Sequence, residues 1–204
     1  MLNALNVILA RAEMLEDDLD GDERDSAESI VTWSHNIIEL TDRVRSVLDT
    51  LTSDDDLELK AVDLVSIVET EAERVRQMDD AITVKTDLPE TAEVRADDLL
   101  TDVVGNLMTN AVEHNDTDEP HLSVAVEIPD GAKTVTMHVA DNGPGIPDSE
   151  KFRVLNRGET GQQSGGTGFG MYFANSMVEA YDGSVSIEDN DPRGTVVAVE
   201  VPQF

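Results

Sequence analysis

The chain has no cysteine. That absence excludes a disulfide framework, a thiolate metal site and a cysteine nucleophile. Aromatic residues are scarce, at 3%, so Val, Leu, Ile and Ala must pack the core. Positive charge is scarce as well: 14 Lys and Arg stand against 44 Asp and Glu, a formal net charge of −30. Such a field repels nucleic acid and anionic membranes. It also leaves few cations for a phosphate, so any phosphate site must lean on backbone N–H groups or a divalent cation. No apolar run approaches the length that spans a bilayer. No basic-then-apolar segment opens the chain. The expectation is a soluble, cytoplasmic protein with no nucleic-acid partner and no membrane segment. The 4 histidines, His35, His114, His121 and His138, show no metal-ligand spacing.

What is present suits one ordinary domain with an appendage, or two small domains: 204 residues, of which 39% are hydrophobic. The acids are spread along the chain instead of collected in a tail. Either the chain is a disordered polyelectrolyte or it folds behind an acidic surface. Its periodic segments favour the second. An acidic surface of this kind resembles those of proteins from salt-loving organisms, where salt screens the self-repulsion.

Leu2, Leu5, Ile8, Leu9, Ala12 and Leu15 recur at helical spacing. The run breaks at Leu19-Asp20-Gly21-Asp22. A second periodic run covers about 26–52 and includes Ile30, Val31, Ile37, Ile38, Val44, Leu48 and Leu51. Two amphipathic helices on a short turn predict a hairpin. Alone it is too thin to bury both apolar faces, so it suggests a dimeric four-helix bundle or docking on the rest of the chain. Thr52-Ser53-Asp54-Asp55-Asp56 reads as a hinge, dividing the chain into 1–53 and 54–204. Beyond it, helices are predicted over Ser66–Met78, 97–115 and Phe169–Ala180. Strands are predicted at Ile82–Leu88, Leu122–Ile128, Thr134–Ala140, Ser184–Ile187 and Thr195–Val201. Hairpins mixed with helices indicate a two-layer α/β sandwich, a mixed sheet with helices on one face.

Three pieces carry chemistry. On the helix 97–115, Leu100, Val103, Leu107 and Ala111 form the buried stripe, while Asn106 and Asn110 stand one turn apart on one face. They are either exposed amides or the polar edge of a pocket, where a carboxamide oxygen suits a hard cation such as Mg²⁺. Next, a strand delivers Asp141-Asn142-Gly143-Pro144-Gly145-Ile146. This is a strand-ending turn, or a carboxylate placed to accept from an exocyclic amine such as that of adenine, with glycines that let backbone come close. About twenty residues later, after a loop read as a mobile lid, Gly166-Thr167-Gly168-Phe169-Gly170 opens a helix. Glycines at a helix N-terminus present free N–H groups to an anion. No lysine follows in the Walker position.

In this order the pieces resemble the Bergerat ATP-binding fold of gyrase-type ATPases and histidine kinases, over about 56–204. In the gyrase-like branch the residue one turn before the metal-binding Asn is a glutamate base. Here it is Asn106, which takes no proton at neutral pH; that fits a kinase. Asp182-Gly183-Ser184-Val185-Ser186-Ile187, and then Arg193-Gly194-Thr195-Val196 through Val201-Pro202, also resemble the end of a sensor histidine kinase catalytic domain. The resemblance implies ATP and Mg²⁺ as ligands. It implies Asn110 as metal ligand, Asn106 beside the phosphates or the metal, and His114 at the pocket edge. Asp141 would bind adenine, with Gly143, Gly145, Ile146 and Thr195 around it and Gly145 forming the pocket wall. Phe152 would be the lid phenylalanine, and Gly166, Thr167, Gly168, Phe169 and Gly170 the phosphate turn. Where many members carry Lys or Arg three residues after the metal Asn, this chain has Glu113.

Leu2-Asn3-Ala4-Leu5-Asn6-Val7-Ile8 resembles the tail of the family's phosphoacceptor box, His-Glu-Leu-Arg-Asn-Pro-Leu. Aligning Asn3 with the Asn of that box puts the histidine just before Met1. His35 is a poor substitute, because no acid follows to orient its imidazole. The resemblance therefore implies a two-component histidine kinase whose acceptor histidine is not among these residues. The implied partners are a response regulator receiver domain or a histidine-containing hairpin in trans, with a homodimer through 2–52. The alternative is a stand-alone ATP-binding protein, either a serine kinase of the anti-sigma type or a non-catalytic nucleotide-responsive module.

Overall fold

The computed structural model describes residues 58–78, 81–129, 131–157 and 169–204, with Arg11, Ala12, Leu15, Arg24, Ala27, Ile30, Val31 and Ser34. The chain divides into two compact units, Met1–Asp54 and Asp55–Phe204. In the first unit the eight described residues are all helical. Ala12, Ala27 and Ser34 are buried, whereas Leu15 and Ile30 stand 49% and 47% exposed. The rest of the expected hairpin, His35 and the Asn3 stretch lie outside the described residues.

The second unit opens with β1 (Lys60–Asp63) and α1 (Leu64–Met78). Helix α1 starts two residues before the predicted Ser66 because Asp63 caps it. Its carboxylate accepts from the Val65 N–H at 3.1 Å and from the Ser66 hydroxyl at 2.6 Å. Then come β2 (Thr83–Asp87), β3 (Glu93–Ala96), α2 (Leu100–Glu113), β4 (His121–Glu127) and β5 (Thr134–Asp141). They are followed by α3 (Asp148–Arg157), α4 (Phe169–Ala180), β6 (Ser184–Asp189) and β7 (Thr195–Pro202). Five strands form one mixed sheet in the order β2-β4-β5-β7-β6. Within it, only the β2–β4 pairing is parallel. β1 and β3 make a separate antiparallel pair that the sequence reading missed. Glu93-Val94-Arg95-Ala96 is short, and only Val94 and Ala96 are buried, which is too little alternation to stand out.

Helices α1, α2 and α4 pack together over one face of the large sheet, as the two-layer reading expects. The strand period of two decides which residues meet them. On β5 the inward set is Val135, Met137 and Val139; on β7 it is Val197, Val199 and Val201; on β4 it is Leu122, Val124 and Val126. From the helix side come Leu100, Val103, Leu107 and Met108 of α2 and Phe173, Met177 and Val178 of α4. Ala111, expected in the buried stripe of α2, is only half-buried. Tyr181, just after α4, is fully buried. Its hydroxyl donates to Asp97 at the entry to α2, whose Oδ1 also accepts from the Leu99 N–H at 2.9 Å. Burial, more than that carboxylate, raises the phenol's pKa well above its ordinary value, so the ring stays a neutral donor.

The stretch after Pro147, read from sequence as loop, begins instead with the ten residues of α3. The Pro147 carbonyl accepts from the Glu150 and Lys151 N–H groups at 2.8 and 3.2 Å. Asp148 and Glu150 in the first turn favour the positive end of the helix dipole. Lys151 joins Asp148 at 2.7 Å to Asp189 of β6 at 2.8 Å. The helix was hidden by its few apolar residues: Phe152, Val154 and Leu155 alone carry its pattern.

Candidate nucleotide site

The candidate residues gather along α2. At one end is the tip of β5. The inward series Val135, Met137, Val139 continues by parity to Asp141, so the strand delivers a carboxylate into the space between the layers. Its Oδ1 accepts from the Gly143 N–H at 2.7 Å and from the Thr195 N–H at 3.3 Å. Asp141 is half-buried, and desolvation raises its pKa above 3.8 against the opposing pull of those donors and of nearby His114. Gly143 is wedged between this carboxylate and the end of α2. A Cβ there would lie 3.0 Å from the Asp141 Oδ1 and 3.5 Å from the His114 carbonyl oxygen. Gly145 has φ +79°, in the left-handed region that favours glycine. A Cβ on it would stand 3.3 Å from the Gly194 carbonyl oxygen. Thr195 is buried beside Asp141, and Ile146 is half-buried.

At the other end Asn106 and Asn110 face the start of α4. Asn106 is buried and its Nδ2 donates to the Asp102 carbonyl at 2.7 Å, which leaves its oxygen as the outward-offered group. Asn110 is half-buried, and its Nδ2 is buried with no hydrogen-bond partner among the described residues. Gly170 lies against both amides. A Cβ there would meet the Asn106 Oδ1 and the Asn110 Nδ2 at 3.3 Å each, and the Asn110 Oδ1 at 3.6 Å. A buried orphaned donor costs a fold about 1–3 kcal/mol unless something accepts from it. A phosphate oxygen is such an acceptor, and the carboxamide oxygen beside it is a donor Mg²⁺ takes. Among the described residues no three His, Cys, Asp or Glu side chains come together as a self-sufficient metal cage. A metal at this end would therefore complete its shell from a bound nucleotide and water.

The helix joins the ends. From Asn106 to His114 it spans about 12 Å. His114 closes its C-terminus, donating its N–H to the Asn110 carbonyl at 3.2 Å, with its side chain exposed. Thus Asn106, Asn110, His114, Asp141, Gly143, Gly145, Thr195 and Gly170 share one region. Phe152 stands on α3, 70% exposed. Phe169 opens α4, while Gly166, Thr167 and Gly168 lie outside the described residues.

Sequence reasoning missed the frame that holds the Asp141 end. Asn142 accepts at Oδ1 from the His121 N–H at 2.8 Å and the Asn115 Nδ2 at 2.9 Å, and donates from Nδ2 to the Glu119 carbonyl at 3.0 Å. Asn190 donates to the Asp141 carbonyl at 2.7 Å. Arg193 pairs with both oxygens of Asp116 at 2.6 and 2.7 Å. Only the turn Asn190-Asp191-Pro192-Arg193-Gly194 hinted at this, and it looked like a plain hairpin turn.

Residues 96–204 match the family of histidine kinase-, DNA gyrase B- and HSP90-like ATPases. The chain belongs to that family, and ATP is accordingly its nucleotide. Among curated relatives, the sensor histidine kinase DpiB of Escherichia coli is 34% identical over 104 residues, 50% of this chain and 19% of that protein. The sensor protein kinase CarS of Pseudomonas aeruginosa is 38% identical over 107 residues, 52% of this chain and 23% of that protein. The chain thus spans about a fifth of the length of these relatives. Full-length ShkA, solved in complex with AMPPNP, shares the fold at a TM-score of 0.74 and 22% identity, over 98% of this chain and 43% of that one.

Proposed function

We propose that residues 54–204 bind Mg·ATP and transfer its γ-phosphoryl group to a histidine imidazole, as the catalytic domain of a two-component sensor kinase. One observation carries this reading: the Asn110 Nδ2, buried with no partner among the described residues and pressed against Gly170 at the start of α4. It supports a phosphate-and-metal end to the site, and Asn106 one turn earlier supplies no base to activate water. The named kinases among the relatives, and the nucleotide analogue in the ShkA complex, agree with it.

In this reading Asp141 accepts the adenine amine while the Gly143 and Thr195 N–H groups fix its Oδ1. Gly143, Gly145 and Ile146 wall the base, and His114 stands at the pocket edge. Asn110 ligates Mg²⁺, and Asn106 sits beside the metal and the triphosphate. Gly166, Thr167, Gly168, Phe169 and Gly170 supply backbone N–H groups to the phosphates, and Phe152 belongs to the lid. The bound metal neutralises phosphate charge; the protein contributes position and water exclusion. Residues 1–53 form the dimerisation hairpin, an assignment that the exposed Leu15 and Ile30 support. The onward partner is a response regulator receiver domain.

The test supplies a histidine-containing hairpin in trans with γ-labelled ATP and Mg²⁺. Label is expected on the hairpin as an acid-labile, alkali-stable phosphate, and none on a His→Ala hairpin. Acid-stable label would show a serine kinase instead.

A further inference from the structure

We infer that Asn190, on the turn between β6 and β7, is a positioning residue for base recognition that acts through Asp141; this rests on the nucleotide reading above. Four contacts from one short turn converge on that aspartate or brace the turn against it. The Asn190 Nδ2 donates to its carbonyl at 2.7 Å. The Thr195 N–H donates to its carboxylate at 3.3 Å. Gly194 lies so close that a Cβ would fall 2.0 Å from the same carbonyl oxygen. The turn is itself held shut, since the Asn190 N–H donates to the Gly194 carbonyl at 3.0 Å. The remaining oxygen of Asn190 accepts from the Asp191 N–H at 3.0 Å, which fixes the amide so that its donor faces β5.

On the β7 side the pairing of β5 stops at Ala140 opposite Val196, one residue short of Asp141. A rotation of the Asp141 peptide plane swings the side chain away from the base. Asn190 supplies the restraint on that plane from 49 residues along the chain. Its own side chain does not need to touch nucleotide. The ion pair of Arg193 with Asp116 ties the same turn to the segment after α2, so the restraint is anchored on both sides. A half-buried amide bonded to one carbonyl is ordinary structure elsewhere. Here the carbonyl belongs to the residue whose carboxylate reads the base.

The consequence is for specificity. Adenine presents an amine to Asp141, and guanine presents a carbonyl oxygen that the carboxylate repels. A loosened Asp141 loses adenine contacts and also loses part of the penalty against guanine. General damage to the fold lowers both affinities alike.

The experiment titrates the full chain with Mg·ATP and Mg·GTP by calorimetry, in wild type, Asn190→Ala, Asp141→Ala and the double variant. Asn190→Ser is carried in parallel in case the alanine variant does not fold. About a tenfold weakening of ATP is expected for the Asn190 change, on the scale of one lost hydrogen bond, with GTP changed less than twofold. In the Asp141→Ala background the Asn190 change should add nothing, because the residue acts through Asp141. Equal losses for ATP and GTP, or an equal loss in both backgrounds, would overturn the inference while leaving the site intact. Unchanged ATP binding in Asp141→Ala would overturn the site reading, and this inference with it.

Discussion

Gly194→Ala is expected to cost the second unit on the order of 3–5 kcal/mol of stability and to remove ATP binding with it. The new Cβ would lie 2.0 Å from the Asp141 carbonyl oxygen, 2.7 Å from its carbonyl carbon and 2.9 Å from the Asn142 Cα. All three are backbone atoms at the end of a central strand, so no rotamer change relieves the clash. The backbone at 194 also has φ +118°, a conformation L side chains rarely adopt. Either the turn withdraws or β5 shifts, and each displaces the Asp141 carboxylate. Gly131→Ala is the control: it has φ +73° with nothing within 4 Å of the added Cβ. Its cost is limited to the left-handed backbone, about 1–2 kcal/mol. Urea unfolding of both variants measures the difference. Equal midpoints would mean that the turn does not press on Asp141.

Asn110→Ala carries the second large effect. It removes the amide whose Nδ2 is buried without a partner among the described residues, and whose oxygen faces the start of α4. If that carboxamide orients metal and phosphates, its loss falls mainly on transfer to the hairpin in trans. A reduction of about 100-fold or more is expected, the scale seen when one preorganised electrostatic group is removed from a reacting centre. The Mg²⁺ concentration needed for half-maximal transfer should rise as well. Adenine contacts are untouched and only one phosphate contact is lost, so metal-free ATP should weaken by no more than about tenfold, on the scale of one hydrogen bond. An unchanged rate at an unchanged Mg²⁺ midpoint would remove Asn110 from the metal end.

The residues that read clearly in the sequence are those whose chemistry is local. Asn106 and Asn110 share a helix face by spacing alone. Asp141 ends a strand whose alternation is plain, and Gly143 follows at the distance of a tight turn. The large sheet was legible because Val135 to Val139 and Val197 to Val201 alternate cleanly. What stayed hidden depends on contacts between distant segments. Nothing near Asn190 says that its amide reaches Asp141, and nothing near Asp116 announces Arg193. The β1–β3 pair escaped because four residues with two buried positions make a weak pattern. Helix α3 escaped for a different reason: its first turn is stabilised by acids at the dipole and by the Lys151 ion pairs, and not by an apolar stripe.

Asp141 stands as the proposed base-reading group of an ATP site. The most direct measurement of that role is a calorimetric titration of Mg·ATP into wild type and Asp141→Asn. An Asn at this place must either turn its NH₂ toward the Gly143 and Thr195 N–H groups or turn it toward the adenine amine. Both arrangements set donor against donor. A site built to accept a hydrogen bond loses heavily when it cannot, and a loss of at least about 100-fold is expected. The wild-type affinity should also fall on acidification, as the carboxylate gains a proton at a pH above the ordinary 3.8, because burial raises its pKa. The ionised form binds, so affinity holds above that pKa and is lost below it, and this limb should be absent from Asp141→Asn. Equal ATP affinity in the two proteins, with the same response to acid, would contradict that role.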